Sequence, residues 1–180
     1  MGIDIRPLAV IEGTTVHIDG NMITVKGPNG ELKREFPKRV LNITSKDNQI
    51  IVSSKETNAK TKALIGAFKS HIKNMMAGAK EDFAYKLKIC STHFPMTVKV
   101  SGNELHVSNL FGGKKTLKFK MPPTVKSEVK GDILKISSPN IELAGNFAGA
   151  IEKGVRPRRK DRRIFQDGIY LIEKAGKPIR

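Results

Sequence analysis

The densest chemistry in this sequence is cationic. The run from Glu152 to Arg163 holds seven positive residues, Lys153, Arg156, Arg158, Arg159, Lys160, Arg162 and Arg163, against two acids. Six of the seven crowd into positions 156–163. Arginine dominates, and its planar fork binds phosphate oxygens in pairs or stacks on an exposed base. Gly154 and Pro157 oppose a continuous helix, so the run is expected to form an extended loop leaving one. A solvated charged loop and a nuclear-import address compete with this reading. The arginine density favours nucleic acid.

Two smaller patches share the sign. In Phe111-Gly112-Gly113-Lys114-Lys115 the glycines let a backbone approach a phosphate, and Lys114 and Lys115 supply charge. It is not a Walker A loop: Ser108 stands where the first glycine is required, and Lys115 where Ser or Thr should follow the lysine. RNA contact and a flexible hairpin tip are equally open for it. The segment Glu173 to Arg180, with Lys174, Lys177 and Arg180, reads as an extended, adaptable tail that could follow a nucleic-acid groove or be disordered in the free protein. The groups that enzymes use are dispersed. His17, His71, His93 and His106 show no metal-ligand spacing, and Cys90 stands alone. His17 and His106 read as polar-face residues of strands, Cys90 as a small buried residue. No Gly-x-Ser-x-Gly elbow, dinucleotide fingerprint or paired acids occur. Neither catalysis nor a cofactor nor a metal is expected.

The whole chain repeats the sign of its patches. Its 180 residues carry 33 Lys and Arg against 17 Asp and Glu, a net charge of +16. Residues 91–180 hold 18 basic against 8 acidic residues and residues 1–90 hold 15 against 9, so the second half is the better candidate for the main contact. Such an excess disfavours self-association and favours a polyanionic partner. An acidic membrane surface would call for an amphipathic basic helix or a lipidation motif, and neither stands out. The start of the chain lacks a secretory signal, no apolar stretch approaches a bilayer span, and one cysteine makes no internal disulfide. A soluble cytosolic protein is expected.

The elements that must position these patches come in two copies. Val16-His17-Ile18-Asp19-Gly20-Asn21 leads into Met22-Ile23-Thr24-Val25, and Val98-Lys99-Val100-Ser101-Gly102-Asn103 leads into Glu104-Leu105-His106-Val107. Apolar residues alternate around each Gly-Asn pair, as in two strands joined by a tight turn whose residues tolerate positive φ. Each copy continues with a basic strand ending near a proline, Leu32 to Pro37 or Thr116 to Pro122. A second hairpin follows, turning at Lys46-Asp47-Asn48 or Lys130-Gly131-Asp132 and ending in Ser53-Ser54 or Ser137-Ser138. The period then changes to that of a helix. Leu64, Ile65, Phe68, Ile72, Met75, Met76 and Ala79 form one apolar face; Ile141, Ala144, Phe147, Ala148 and Ile151 form a shorter one. Such a helix buries its face on one side of the sheet. The fold class expected is α+β: two tandem similar domains, each a small antiparallel sheet packed against one helix. The domains are expected at 1–83 and 84–180. No Pro/Gly/Ser-rich linker separates them, so a closely joined pair in a fairly fixed relation is expected.

With the repeat in place, the sequence resembles the universal large-subunit ribosomal protein L-six family in its archaeal and eukaryotic (L-nine) form. The resemblance covers nearly the whole chain, including Ile11-Glu12-Gly13-Thr14, the two-fold repeat and Val40 to Val52. Its most specific block is Arg162-Arg163-Ile164-Phe165-Gln166-Asp167-Gly168-Ile169-Tyr170. The bacterial branch has a Lys-Gly-rich segment there, absent here, which bears on lineage and local contacts but not on fold. The resemblance implies a structural constituent of the large ribosomal subunit in the cytoplasm. It would be seated on large-subunit rRNA near the stalk base and the sarcin–ricin loop, among neighbouring ribosomal proteins and close to where translation GTPases dock. It also implies rRNA contacts from Lys153 to Arg163 and from Lys174 to Arg180. A sequence-tolerant DNA-binding protein is the first competing class, but no helix-turn-helix, zinc finger or basic zipper is present. An RNA-modifying enzyme with an unrecognised site is the second.

Overall fold

The computed structural model describes residues 7–37, 40–46, 49–54, 58–157, 161 and 163–179. The chain divides into two compact units, Met1–Asp82 and Phe83–Arg180, each with its own buried cluster.

Unit 1 comprises β1 (Leu8–Ala9), β2 (Thr15–Asp19), β3 (Met22–Gly27), β4 (Gly30–Glu35), β5 (Asn42–Lys46), β6 (Gln49–Ser53) and α1 (Ala59–Lys80). Its strands form two antiparallel sheets, ordered β2-β3-β4 and β1-β6-β5. The expected apolar face of α1 is buried at Ile65, Ile72, Met75, Met76 and Ala79, with Leu64 and Phe68 at its margin. The end of α1 lies against the β3–β4 turn. Asn29 donates its backbone N–H to Ala79 O at 3.0 Å, satisfying one of the carbonyls a helix leaves unpaired at its end. Gly27 is required there, since a Cβ would come within 2.5 Å of Ala79 O.

Unit 2 comprises β7 (Phe83–Cys90), β8 (Thr97–Ser101), β9 (Glu104–Ser108), β10 (Leu117–Lys120), β11 (Lys126–Lys130), β12 (Ile133–Ser138), α2 (Ile141–Val155), β13 (Gly168–Lys174) and β14 (Lys177–Pro178). One sheet runs β10-β9-β8 and the other β11-β12-β7-β13-β14. Ala144, Phe147, Ala148, Ile151 and Val155 of α2 join Tyr85, Leu87, Leu134, Ile136 and Ile169 in the core. Each such aliphatic side chain removed from water contributes roughly 1.5–3 kcal/mol before the entropy of ordering is charged against it. Asn140 caps α2: its side-chain oxygen accepts from the N–H groups of Glu142 and Leu143 at 3.0 and 3.4 Å.

The duplication extends to individual hydrogen bonds. Phe36 N–H donates to Asn21 O at 2.8 Å and Met121 N–H donates to Asn103 O at 2.9 Å, the same bond in both copies. Val40 N–H to Pro37 O and Val125 N–H to Pro122 O, each 3.0 Å, repeat a second. Two similar α+β domains, each with antiparallel strands packed on one helix, are therefore present. In the turns at Gly20-Asn21, Gly102-Asn103 and Gly131-Asp132 it is the glycine that takes positive φ, 61°, 56° and 57°. The partner Asn supplies its carbonyl instead.

Three local features depart from expectation. The helix does not break at Gly154: α2 continues to Val155 and the chain turns away at Arg156, so Lys153 is helical. Gly154 is there for packing, because a Cβ would lie 2.6 Å from Phe119 Cε1. The C-terminal segment is not an extended tail. Glu173 pairs with Pro178 and Lys174 with Lys177 in a hairpin whose turn places Ala175 at φ 48° and Gly176 at φ 81°. Finally, β13 is a full strand of the sheet, paired with β7 from Gly168↔Cys90 onward. The turn at Asp47-Asn48 lies outside the described residues.

Candidate nucleic-acid interface

Lys153 sits in the last turn of α2 and Arg156 caps it, both exposed. Three residues apart across a helix end, they share the wall of a cavity of about 410 Å³ with Gly149, Glu152 and Tyr170. Glu152 is already engaged: its carboxylate accepts from Leu171 N–H at 3.1 Å, beside the bulge in β13. A second cavity of about 530 Å³ shares Gly149 and is lined by Lys174 as well as by Tyr85 and Leu171. Lys153, Arg156 and Lys174 thus border the open side of α2. Lys177 pairs with Lys174 at the exposed tip of the final hairpin.

Beyond Pro157 the chain is described again at Asp161 and from Arg163; Arg158, Arg159, Lys160, Arg162 and Arg180 lie outside the described residues. Asp161 organises a tight turn. Its carboxylate accepts from Arg163 N–H at 2.9 Å and its carbonyl from Ile164 and Phe165 N–H at 3.2 and 2.9 Å. Arg163 is exposed, and so is Ile164, at 63%.

What holds this turn to the unit is a residue whose role the sequence did not announce. Asp167 is only 2% exposed. The backbone N–H groups of Thr92, His93 and Phe94 donate to its Oδ1 at 2.6, 2.9 and 3.4 Å. His93 Nδ1 lies 3.0 Å from its Oδ2. Successive amides converging on one carboxylate form an anion-binding nest. Burial alone would raise the Asp167 pKa, but the backbone of His93, its ring and the N–H groups of Phe94 and Thr92 outweigh it and hold the carboxyl down to about 2.

The same 92–95 segment docks the glycine-rich loop. Asn109 Nδ2 donates to Pro95 O at 2.8 Å, and Gly112, at φ 74°, lies against the Phe94 ring with room for no more than a hydrogen. The loop contains a short 3-10 turn, Leu110–Gly112, and Lys114 and Lys115 follow it, exposed. Segment 92–95 therefore anchors both Lys114-Lys115 and the turn bearing Arg163. Lys153 and Arg156 are gathered separately on α2. None of Lys114, Lys115, Lys153, Arg156, Lys174 and Lys177 makes an ion pair with a described residue. Among the described residues no group of three His, Cys, Asp or Glu is placed to hold a metal ion. Cys90 is half-buried at the end of β7, and His106 contacts Glu104 at 2.9 Å on the face of β9.

Two small α+β repeats, the second holding exposed and unpaired cations on anchored supports, define a basic scaffold class suited to a polyanionic partner. Comparison with known proteins sharpens this. A family model described as Ribosomal protein L6 matches residues 10–82. The large ribosomal subunit protein uL6 of Nanoarchaeum equitans is 40% identical over 180 residues, covering 96% of this chain and 94% of that one. Its counterpart in Aeropyrum pernix is 40% identical over 171 residues, 94% of each chain. That of Methanobrevibacter smithii is 39% identical over 167 residues, 93% of this chain and 94% of the relative. The chain belongs to the uL6 family of large ribosomal subunit proteins.

Proposed function

We propose that this protein is a structural, non-catalytic constituent of the cytoplasmic large ribosomal subunit, and that unit 2 is its principal contact with large-subunit rRNA. The observation that carries the reading is the set of six exposed cations on ordered supports that no described carboxylate neutralises. A charge left unpaired by its own protein is available to displace counterions from phosphates. Unit 2 carries 20 Lys and Arg against 8 Asp and Glu, and the three anchored regions lie in it. In this reading Arg158, Arg159, Lys160, Arg162 and Arg180, outside the described residues, also contact the rRNA. The position on the subunit, near the sarcin–ricin loop and stalk base and supporting the region where translation GTPases dock, rests on the family resemblance, as do the neighbouring ribosomal proteins.

Sedimentation of the tagged protein in cell lysate, before and after a high-salt wash, tests it. Cosedimentation with large subunits that survives the wash is the expected result. Migration as free protein or with chromatin overturns the proposal.

A further inference from the structure

The two units carry the same three-stranded sheet with different outward faces. In unit 1 the register aligns His17, Thr24 and Lys33 in one row across β2, β3 and β4, and Asp19, Met22 and Glu35 in the next. In unit 2 the matching rows across β8, β9 and β10 are Lys99, His106 and Lys118, then Ser101, Glu104 and Lys120. Both sheets turn the alternate residues, Val16 and Val25 or Val98 and Val107, into their cores. The outward face in unit 1 sets Lys26 and Lys33 against Asp19, Glu31 and Glu35, with Lys33 paired to Glu31 at 3.1 Å. In unit 2 it sets the exposed Lys99, Lys118 and Lys120 against Glu104. That acid is already engaged, since His106 Nε2 lies 2.9 Å from its Oε2. The hydrogen bond to His106, and then the charges of Lys118 and Lys120, hold the Glu104 carboxyl below its usual range. The same sheet is built in unit 1 with the opposite balance of charge, so the fold does not dictate these lysines.

The arrangement of this face points to the form of its partner. Lys118 and Lys120 stand roughly 7 Å apart along β10, and Lys99, two strands away, roughly 10 Å from Lys118 by ordinary strand spacing. A row of hydroxyls, Thr97, Ser108 and Thr116, lies beside them, the last two 3.3 Å apart. Lys114 and Lys115, directly before Thr116 in the chain, continue the charge at this edge. Single-stranded nucleic acid is held in grooves where bases stack on aromatic side chains. No Phe, Tyr or Trp stands on this face. A-form duplex RNA instead presents phosphates and ribose 2′-hydroxyls across its wide, shallow minor groove, and lysines and hydroxyls spread over a sheet are their complement. We infer that the outward face of the β8-β9-β10 sheet seats the sugar–phosphate backbone of a double-helical segment of rRNA, with Lys99, Lys118 and Lys120 on its phosphates. This rests on the rRNA-binding reading above and adds a contact surface apart from α2 and the arginine-rich connection.

The test titrates the full chain with deproteinised large-subunit rRNA, with tRNA as competitor, across a salt series. One variant combines Lys99→Gln, Lys118→Gln and Lys120→Gln. The control combines Lys26→Gln and Lys33→Gln on the matching face of unit 1. The triple variant is expected to bind more weakly and to lower the salt slope by about two to three, one counterion-releasing contact per lysine. The control is expected to keep the wild-type slope. Hydroxyl-radical footprinting should show riboses on both strands of a paired segment protected by wild type and cleaved with the triple variant. A triple-variant slope within about half a unit of wild type overturns the surface while leaving rRNA binding intact. So does an equal loss per lysine in the control, which would report net charge and not this face. Footprints lost only from an unpaired loop overturn the assignment to duplex. Wild type that prefers rRNA no more than tRNA overturns the underlying reading and this one with it. If the triple variant does not fold, Lys118→Gln and Lys120→Gln made singly decide, each by a slope lowered by about one.

Discussion

Replacing Asp167 with Asn changes one atom and should cost unit 2 a large part of its stability. The folded carboxyl sits at about 2 against an ordinary 3.8. At about 1.4 kcal/mol per pH decade, that displacement corresponds to roughly 2.5 kcal/mol held by the ionised form. Because the folded value lies below the unfolded one, this stability is complete above about pH 4 and disappears as pH falls toward 2. An amide does not recover it, since it lacks the charge that strengthens the bonds from Thr92, His93 and Phe94. The two tyrosines of the chain, Tyr85 and Tyr170, both lie in unit 2 and there is no tryptophan, so tyrosine fluorescence in urea reports that unit alone. At pH 7 the midpoint should fall by about 1–2 M urea. The gap between wild type and variant should narrow below pH 4 and nearly close by pH 2. A gap under about 0.5 kcal/mol at pH 7, or one unchanged at pH 2, would refute the account of the carboxylate as an ionised anchor.

Three further tests probe other parts of the structure. Gly154→Ala should destabilise unit 2 by about 1–3 kcal/mol, since its Cβ would meet the Phe119 ring, whereas Gly149→Ala, with nothing within 4 Å, should stabilise it by up to about 1 kcal/mol; urea unfolding of the two variants checks both signs. Ala175→Gly should relieve a left-handed residue at φ 48° and raise the melting temperature of unit 2 slightly, part of the gain being offset by a freer unfolded chain. Replacing Lys153 and Arg156 with Ala should weaken rRNA binding and lower the salt slope by about one to two, and replacing Arg158, Arg159, Arg162 and Arg163 should do the same while leaving unit 1 folded; filter binding across salt and circular dichroism read the two effects.

The parts of this fold legible in the sequence are those set by local periodicity. The hairpins around Gly20-Asn21 and Gly102-Asn103 and the apolar faces of α1 and α2 follow from patterns spanning a few residues, and the structure contains them. Gly154 was misread because a glycine looks the same to local reasoning whether it breaks a helix or admits a ring from another strand. Lys174 and Lys177 looked like a tail because the Gly and Pro near them are also the residues of a tight turn and a short edge strand. Asp167 and His93 are separated by 74 positions and meet only because β13 pairs with β7. Among scattered histidines that one had no local mark, and a strand following a loop dense in arginine carries little periodic signal of its own.

Unit 2 has an element that unit 1 lacks. In unit 1 the strand β1 pairs with β6 as β7 pairs with β12 in unit 2. Unit 1 ends two residues after α1, whereas in unit 2 the chain continues past α2 and returns as β13, on the edge of β7 not taken by β12. The cationic run is the connection that makes this return, and Asp167 stands at the point where it rejoins the sheet. A loop of like charges repels itself and gains nothing from folding down. A buried carboxylate with three backbone amides ties its far end, and α2 fixes its near end at Arg156, so that of its described cations Arg156 and Arg163 are both exposed at anchored ends. The added strand thus turns a duplicated structural unit into one that can present charge in a fixed place, which a polyanion of defined shape can use and a flexible basic tail would not provide.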